Sequence, residues 1–152
     1  MKIANPWLII LALGCYTFAG STPNIIAPTE SSLVGDYQYT GYDKKGDKVV
    51  EGRLSITSVE TRRIRSEEVT QLKGNWQLKK VGTQEHTGPQ EGSGELIGSL
   101  DKDGIDINLN PNISDANVYL HGTIEGRRFH GTWSFKGYAG AISEGTYEAI
   151  RK

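Results

Sequence analysis

Residues 118–135 read VYLHGTIEGRRFHGTWSF, and this stretch decides the fold. Apolar residues alternate with polar ones over Val118–Ile124, and they alternate again over Phe129–Phe135. A period of two is typical of a strand that buries one face. Between the two halves, Glu125-Gly126 predicts a tight turn. The stretch therefore predicts two neighbouring antiparallel strands joined by a hairpin.

The same alternation predicts six further strands on either side of this hairpin. In chain order they lie at Gly35–Thr40, Val50–Ile56, Leu72–Leu78, Glu95–Leu100, Ile105–Leu109 and Gly145–Ala149. Short turn signals separate them. Eight alternating strands with short connections and almost no helix favour an all-β fold, in which one antiparallel sheet closes into an up-and-down barrel without edges. The interior of such a barrel is filled by side chains or holds one small ligand.

Three polar segments interrupt the strand pattern. Ser58–Glu68 is rich in Arg and Glu, and its sequence fits a long hairpin end as well as a short helical turn. Thr83–Gly92 contains Gly88-Pro89 and is predicted to be a loop. Asn108–Asn117 is interpreted either as a turn whose side chains bond their own backbone or as a polar rim at one barrel mouth.

A glycine stands two residues before a large apolar residue in most of the predicted strands. The device occurs as Gly35-Asp36-Tyr37, Gly52-Arg53-Leu54, Gly74-Asn75-Trp76, Gly94-Glu95-Leu96, Gly98-Ser99-Leu100, Gly131-Thr132-Trp133 and Gly145-Thr146-Tyr147. Such a glycine lets a strand bend at a barrel corner and leaves room for a ring from the neighbouring strand. Through its Gly-x-Trp and Gly-x-Tyr strands, the segment Leu33–Lys152 resembles the calycins, meaning lipocalins, avidins and their small bacterial relatives. The resemblance implies a calycin-like barrel.

The first residues of the chain predict export. Lys2 is followed by an apolar run over Trp7–Leu13. A helix needs roughly 20 apolar residues to span a bilayer, whereas the hydrophobic part of a signal peptide takes about 7–15. The run therefore predicts a secretory signal peptide over residues 1–14.

Cys15 is the only cysteine of the chain. The segment Leu11-Ala12-Leu13-Gly14-Cys15 resembles the lipobox of bacterial lipoproteins. This resemblance implies that the Cys15 thiol receives a diacylglycerol, that the chain is cut just before it and that the new amine is acylated. The alternative is an ordinary signal peptide that is cut after Ala19, with Cys15 discarded.

The remaining organisation follows from composition. Residues 15–32 are rich in Ser, Thr and Pro and predict a flexible tether, and residues 33–152 form the predicted barrel domain. By resemblance to Gram-negative lipoproteins, Tyr16 directly after the cysteine favours the outer membrane. The chain carries 17 Lys and Arg against 18 Asp and Glu, a net charge of -1, and it has no basic stripe. This balance argues against nucleic acid as a partner.

The sequence offers no pattern of catalytic or cofactor-binding residues. Its histidines are His86, His121 and His130, and the last two are predicted to lie on the outer face of neighbouring strands. Two such histidines fall short of the three or four ligands of a metal site. Asp101–Gly104 is interpreted as a hairpin turn and Glu67-Glu68 as solvated carboxylates. We therefore expect a protein that is not an enzyme and holds neither cofactor nor metal.

Two functions remain open at this point. In the first, the anchored barrel binds a small apolar ligand, and its lining residues are Tyr37, Trp76, Leu120, Phe129, Trp133 and Tyr147. In the second, these side chains fill the core, and the solid barrel binds another protein as an interaction module or an inhibitor of an envelope enzyme. Ser58–Glu68 and Thr83–Gly92 are then the predicted contact surfaces.

Overall fold

The computed structural model describes residues 30–64, 67–82 and 87–152. These residues form a short helix and eight strands: α1 (Glu30–Leu33), β1 (Gly35–Asp43), β2 (Lys48–Ile64), β3 (Glu67–Lys80), β4 (Gly92–Asp101), β5 (Gly104–Asn108), β6 (Ala116–Glu125), β7 (Arg128–Gly137) and β8 (Gly140–Arg151). Each strand pairs antiparallel with the next one in sequence, and β8 pairs with β1. The predicted closed up-and-down barrel is therefore confirmed. The predicted signal peptide, Cys15 and the tether up to residue 29 lie outside the described residues.

The interior is built from the alternating apolar positions that the sequence indicates. Every strand contributes side chains to one buried cluster, which Leu33 of α1 joins. The Tyr37 ring stacks on Phe129 with centroids 4.4 Å apart, and the Tyr39 ring stacks on Tyr147 at 5.9 Å. Such ring pairs contribute about 0.5–1.5 kcal/mol beyond the burial of their area. Because the pairs join β1 to β7 and β8, they stabilise the closure of the barrel.

Two of the repeated glycines make room for tryptophan rings. Trp76 pairs with Gly94 across β3 and β4, and Trp133 pairs with Gly145 across β7 and β8. A Cβ atom at Gly94 would lie 2.8 Å from the Trp76 ring, and one at Gly145 would lie 2.7 Å from the indole nitrogen of Trp133. Both distances are too short for real Cβ atoms, and at Gly145 the carbonyl oxygen of Tyr42 would lie closer still, so both positions require glycine.

The sequence of Ser58–Glu68 fits a hairpin end as well as a helical turn, and its described residues belong to a long hairpin. Ile56 is the last residue of β2 that pairs with β1, and Thr70 is the first residue of β3 that pairs with β4. Beyond these residues, β2 and β3 continue as paired strands up to Ile64 and Glu67. Residues 58–64 and 67–69 therefore form a two-stranded ribbon past the barrel wall, called here the projecting hairpin.

The antiparallel order gives the barrel two different ends. Helix α1, the projecting hairpin and the last residue, Lys152, lie at one end, called here the α1 end. The turns after β1, β3, β5 and β7 lie at the opposite end, called here the far end. The predicted tether therefore joins the barrel at the α1 end. In the described part of the chain, no helix has the length and apolar character needed to cross a membrane.

Candidate functional site

The six predicted ligand-lining side chains meet in the middle of the barrel. None of them is more than 4 % exposed: Tyr37, Trp76, Leu120, Phe129, Trp133 and Tyr147. Side chains around a void wide enough for water would keep accessible surface inside that void. These side chains therefore pack against one another and their neighbours at the density of an ordinary core. Their role as a ligand site stays a prediction.

Helix α1 closes one mouth of this core. Leu33 is buried, and its carbonyl oxygen accepts a hydrogen bond of 2.7 Å from the hydroxyl of Tyr37. The guanidinium of Arg151 donates to the carbonyl oxygens of Ser32 at 2.5 Å and Val34 at 2.6 Å. The last strand thus holds the helix over the barrel. Helix α1 thus contains Glu30–Ser32, which the sequence analysis assigns to the tether.

Residues 87–90 close the far mouth. The side chain of Gln90 is fully buried, and its Oε1 accepts a hydrogen bond of 3.0 Å from the hydroxyl of Tyr39. Its Nε2 donates to the carbonyl oxygen of Thr87 at 2.7 Å. Gly88 lies so close to the Phe135 ring that a Cβ atom there would be 2.5 Å from it. This part of the predicted contact loop therefore turns inward as a plug, and residues 83–86 lie outside the described residues.

Burial keeps the interior tyrosines neutral. It raises the pKa of Tyr39 and of Tyr147 far above the ordinary value of a phenol. The negative charge of Asp106 raises the pKa of Tyr147 further. The hydroxyl of Tyr147 also has no hydrogen-bond partner among the described residues. Proton transfer needs a group whose pKa lies near the working pH, so these two phenols do not provide an acid–base pair.

The two described histidines lie on the outer face, as the sequence indicates. Nδ1 of His121 is 2.8 Å from Oδ1 of Asp106, and Nε2 of His130 is 3.2 Å from Oε2 of Glu125. The register pairs His130 with Thr123 rather than with His121, so the histidines are diagonal neighbours, and each contacts a carboxylate of its own. No group of three potential metal ligands occurs in the described part of the chain. His86 lies outside that part.

The polar turns bond their own backbone. The carboxylate of Asp101 accepts a hydrogen bond of 2.8 Å from the backbone N–H of Asp103, which closes the turn between β4 and β5. In the Asn-rich segment, the side chain of Asn108 accepts from the N–H of Asn110 at 2.8 Å. The side chain of Asn117 donates to the carbonyl oxygen of Ile113 at 2.6 Å. These contacts explain the Asn and Asp residues as turn formers.

A broad groove of about 790 Å³ lies on the outer surface at the far end, between the β1–β2 turn and strands β7 and β8. The ammonium of Lys44 and the carboxylate of Glu144 form an ion pair of 2.7 Å beside it. The hydrogen bond from Lys44 and its positive charge hold the pKa of Glu144 below its usual value. Both side chains are largely exposed. An exposed, ionised pair of this kind gives the groove no distinct chemistry.

An apolar turn at the far end is a feature that the sequence-based assignment of sites misses. Tyr138, in the connection between β7 and β8, is 95 % exposed, and Ile142, near the start of β8, is 54 % exposed. Residues 137–143 contain no charged residue. Hairpin turns are normally polar, so the uncharged sequence itself is the signal that would have identified this turn.

The chain matches no protein-family model, no curated protein and no solved structure. The case for its function therefore rests on its own residues.

Proposed function

We propose that this chain is a non-catalytic envelope lipoprotein, anchored through Cys15, whose solid barrel binds another protein rather than a small apolar ligand. One observation carries the choice: the six side chains that would line a ligand site are at most 4 % exposed, because they fill the core. Ligand pockets typically enclose about 300–1,000 Å³. Both mouths are also closed, by Leu33 at one end and Gln90 at the other.

The anchor in this proposal is supported by the sequence of the first residues. The apolar run over Trp7–Leu13 has the length of a signal peptide, and the lipobox-like segment ends at the only cysteine. Each acyl methylene buried in the membrane contributes about 0.8 kcal/mol, so several acyl chains on Cys15 would hold the protein firmly. The membrane in question is the outer membrane if the cell is Gram-negative.

Mass spectrometry of the protein extracted from membranes tests the anchor. The expected N-terminal peptide begins at Cys15 and carries the mass of a diacylglycerol and an acyl chain. Cys15→Ser is expected to move the protein from the membrane fraction to the soluble fraction. Tyr16→Asp, as a matched change beside it, is expected to keep the lipid and to shift the protein to the inner membrane. An unmodified N-terminus beyond residue 15 contradicts the anchor.

Native mass spectrometry of the same full-length protein tests the filled barrel. The expected mass is that of the lipidated chain, without a stoichiometric small molecule. Leu120→Ala serves as a positive control, because truncating this fully buried side chain opens an apolar cavity of the kind that binds benzene. Benzene is expected to raise the melting temperature of the variant and not that of the wild type. Release of a stoichiometric apolar compound from the wild type would contradict the filled barrel and favour the ligand-binding function.

A further inference from the structure

We propose that the turn between β7 and β8 is the docking point of this barrel, and that the Tyr138 ring enters an apolar pocket on a partner protein. This turn and the strand residues that flank it, residues 137–143, are called here the β7–β8 tip. The inference rests on the proposed interaction function and names the surface that carries it.

The exposure of the tip is the first reason. Tyr138 keeps 95 % of its accessible surface, Ile142 keeps 54 %, and the residues between them are exposed as well. The nearest charged residues along the chain are Lys136 and Glu144. A run of exposed apolar residues lowers solubility, and a soluble domain normally avoids it unless the run binds something.

The chemistry of the turn is the second reason. Gly137 pairs with Gly140, so Tyr138 and Ala139 alone make the connection. Two-residue hairpin turns favour Asn-Gly, Asp-Gly or Gly-x, because these residues adopt positive φ values at low cost. In this turn the positive φ falls on Gly140, so glycine already meets the needs of the hairpin, and these needs do not explain an aromatic residue at Tyr138.

The support beneath the tip is the third reason. The side chain of Ile142 covers Gly137 so closely that a Cβ atom there would lie 2.6 Å from its Cδ1. Two residues before Gly137 in β7, Phe135 packs against the core and against Gly88 of the plug. The tip therefore rests on ordered strands. An element that is already ordered loses little conformational entropy on binding.

The position and the charge of the tip favour a protein, rather than a lipid surface, as its binding partner. The predicted tether joins the barrel at the α1 end, whereas the tip lies at the far end, so the length of the barrel separates the tip from the point where the tether joins. Lys44 pairs with Glu144, Lys45 stands in a turn between Asp43 and Asp47, and the ammonium of Lys136 lies 5.2 Å above the Tyr119 ring. They form no basic patch for anionic lipids. A convex tip with a tyrosine at its apex fits a concave apolar pocket, and buried tyrosines are frequent anchors of protein interfaces.

Photo-crosslinking in cells that express the full-length protein tests the inference. The photoreactive residue p-benzoylphenylalanine replaces Tyr138 in one variant and Ile97 in a matched control. Ile97 is an apolar residue of 46 % exposure on the outer wall of β4. We expect an adduct to one protein at position 138 and none at position 97.

Binding measurements with the purified partner complete the test. Tyr138→Ser is expected to weaken the complex at least tenfold, whereas Ile97→Ser leaves the affinity unchanged. Tyr138→Asn, which places a common turn residue at the same position, is expected to keep the melting temperature while it loses binding to the same extent. This combination separates a docking role from a structural one.

Other outcomes overturn the inference in distinguishable ways. Adducts to lipid or to a second copy of this chain would replace the proposed occupant. If a partner crosslinks elsewhere on the barrel and binds Tyr138→Ser as tightly as the wild type, the interaction function is supported and the tip is not its docking point. If photoreactive residues around the whole barrel capture no protein, the proposed function fails together with the tip.

Discussion

Two tyrosine hydroxyls in the core differ in their hydrogen bonding. The hydroxyl of Tyr39 donates to Gln90 at 3.0 Å, whereas that of Tyr147 has no partner among the described residues. Removing an unpartnered buried hydroxyl removes a desolvation penalty, so Tyr147→Phe is expected to leave the free energy of unfolding unchanged or to raise it by about 1 kcal/mol. Tyr39→Phe leaves the buried Oε1 of Gln90 without its donor, and we expect a loss of about 1–3 kcal/mol.

Urea denaturation of the two variants measures this difference. Both changes remove one oxygen from a stacked ring of the same core, so each variant controls for the other. A larger loss for Tyr147→Phe than for Tyr39→Phe would show that the Tyr147 hydroxyl has a partner in the folded protein.

Helix α1 depends on its contacts because it is only four residues long. The guanidinium of Arg151 supplies two hydrogen bonds to the backbone around it, at Ser32 and Val34. Arg151→Met keeps a long apolar stem and removes both bonds. Since they lie at the surface, we expect a loss of only about 1 kcal/mol in unfolding free energy.

Hydrogen exchange shows where that loss acts. The amides of α1 and of the first residues of β1 are expected to exchange faster in Arg151→Met, while those of β6 and β7 keep their protection. Arg53→Met is the control, because the ion pair of Arg53 with Asp36 is exposed and 3.9 Å long. Equal effects of the two variants would mean that Arg151 does not hold the α1 end closed.

The period of two identifies a strand wherever one of its faces lies in the core. In β6 the buried residues Val118, Leu120 and Gly122 alternate with exposed ones, and the sequence alone predicts this strand. In the projecting hairpin both faces meet solvent, as the exposed consecutive residues Thr61 and Arg62 show. Without an apolar stripe no period remains, so the sequence could not separate a hairpin from a helical turn there.

The plug and the tip could not be predicted from periodicity for related reasons. Gln90 is a polar residue in a polar loop, and its burial depends on a hydroxyl that is 51 residues away in sequence. Tyr138 stands in a two-residue turn, where residues have no strand period. Only the absence of charge over 137–143 marks the tip in the sequence.

In the whole molecule, the predicted tether and the proposed docking tip lie at opposite ends of the barrel. The predicted tether joins the α1 end, the filled barrel lies in the middle, and the β7–β8 tip stands at the far end. Because the interior is solid, the distance between the α1 end and the tip is set by packed strands. Under the proposed function, the barrel therefore acts as a rigid spacer that presents the tip to a partner away from the membrane.

The stability of the whole barrel is expected to fall at alkaline pH. Because burial raises the pKa of Tyr39 and Tyr147 above the value of 10.0 in an unfolded chain, the folded protein keeps protons that the unfolded chain releases. Their contribution is complete below about pH 10 and declines above it, by about 1.4 kcal/mol per pH unit for each tyrosine. Tyr147→Phe removes one of these protons, so urea denaturation should show a shallower decline by about that amount. The lysines are the same in both proteins, and their effect cancels. Equal slopes in the two proteins would contradict the burial of the Tyr147 hydroxyl.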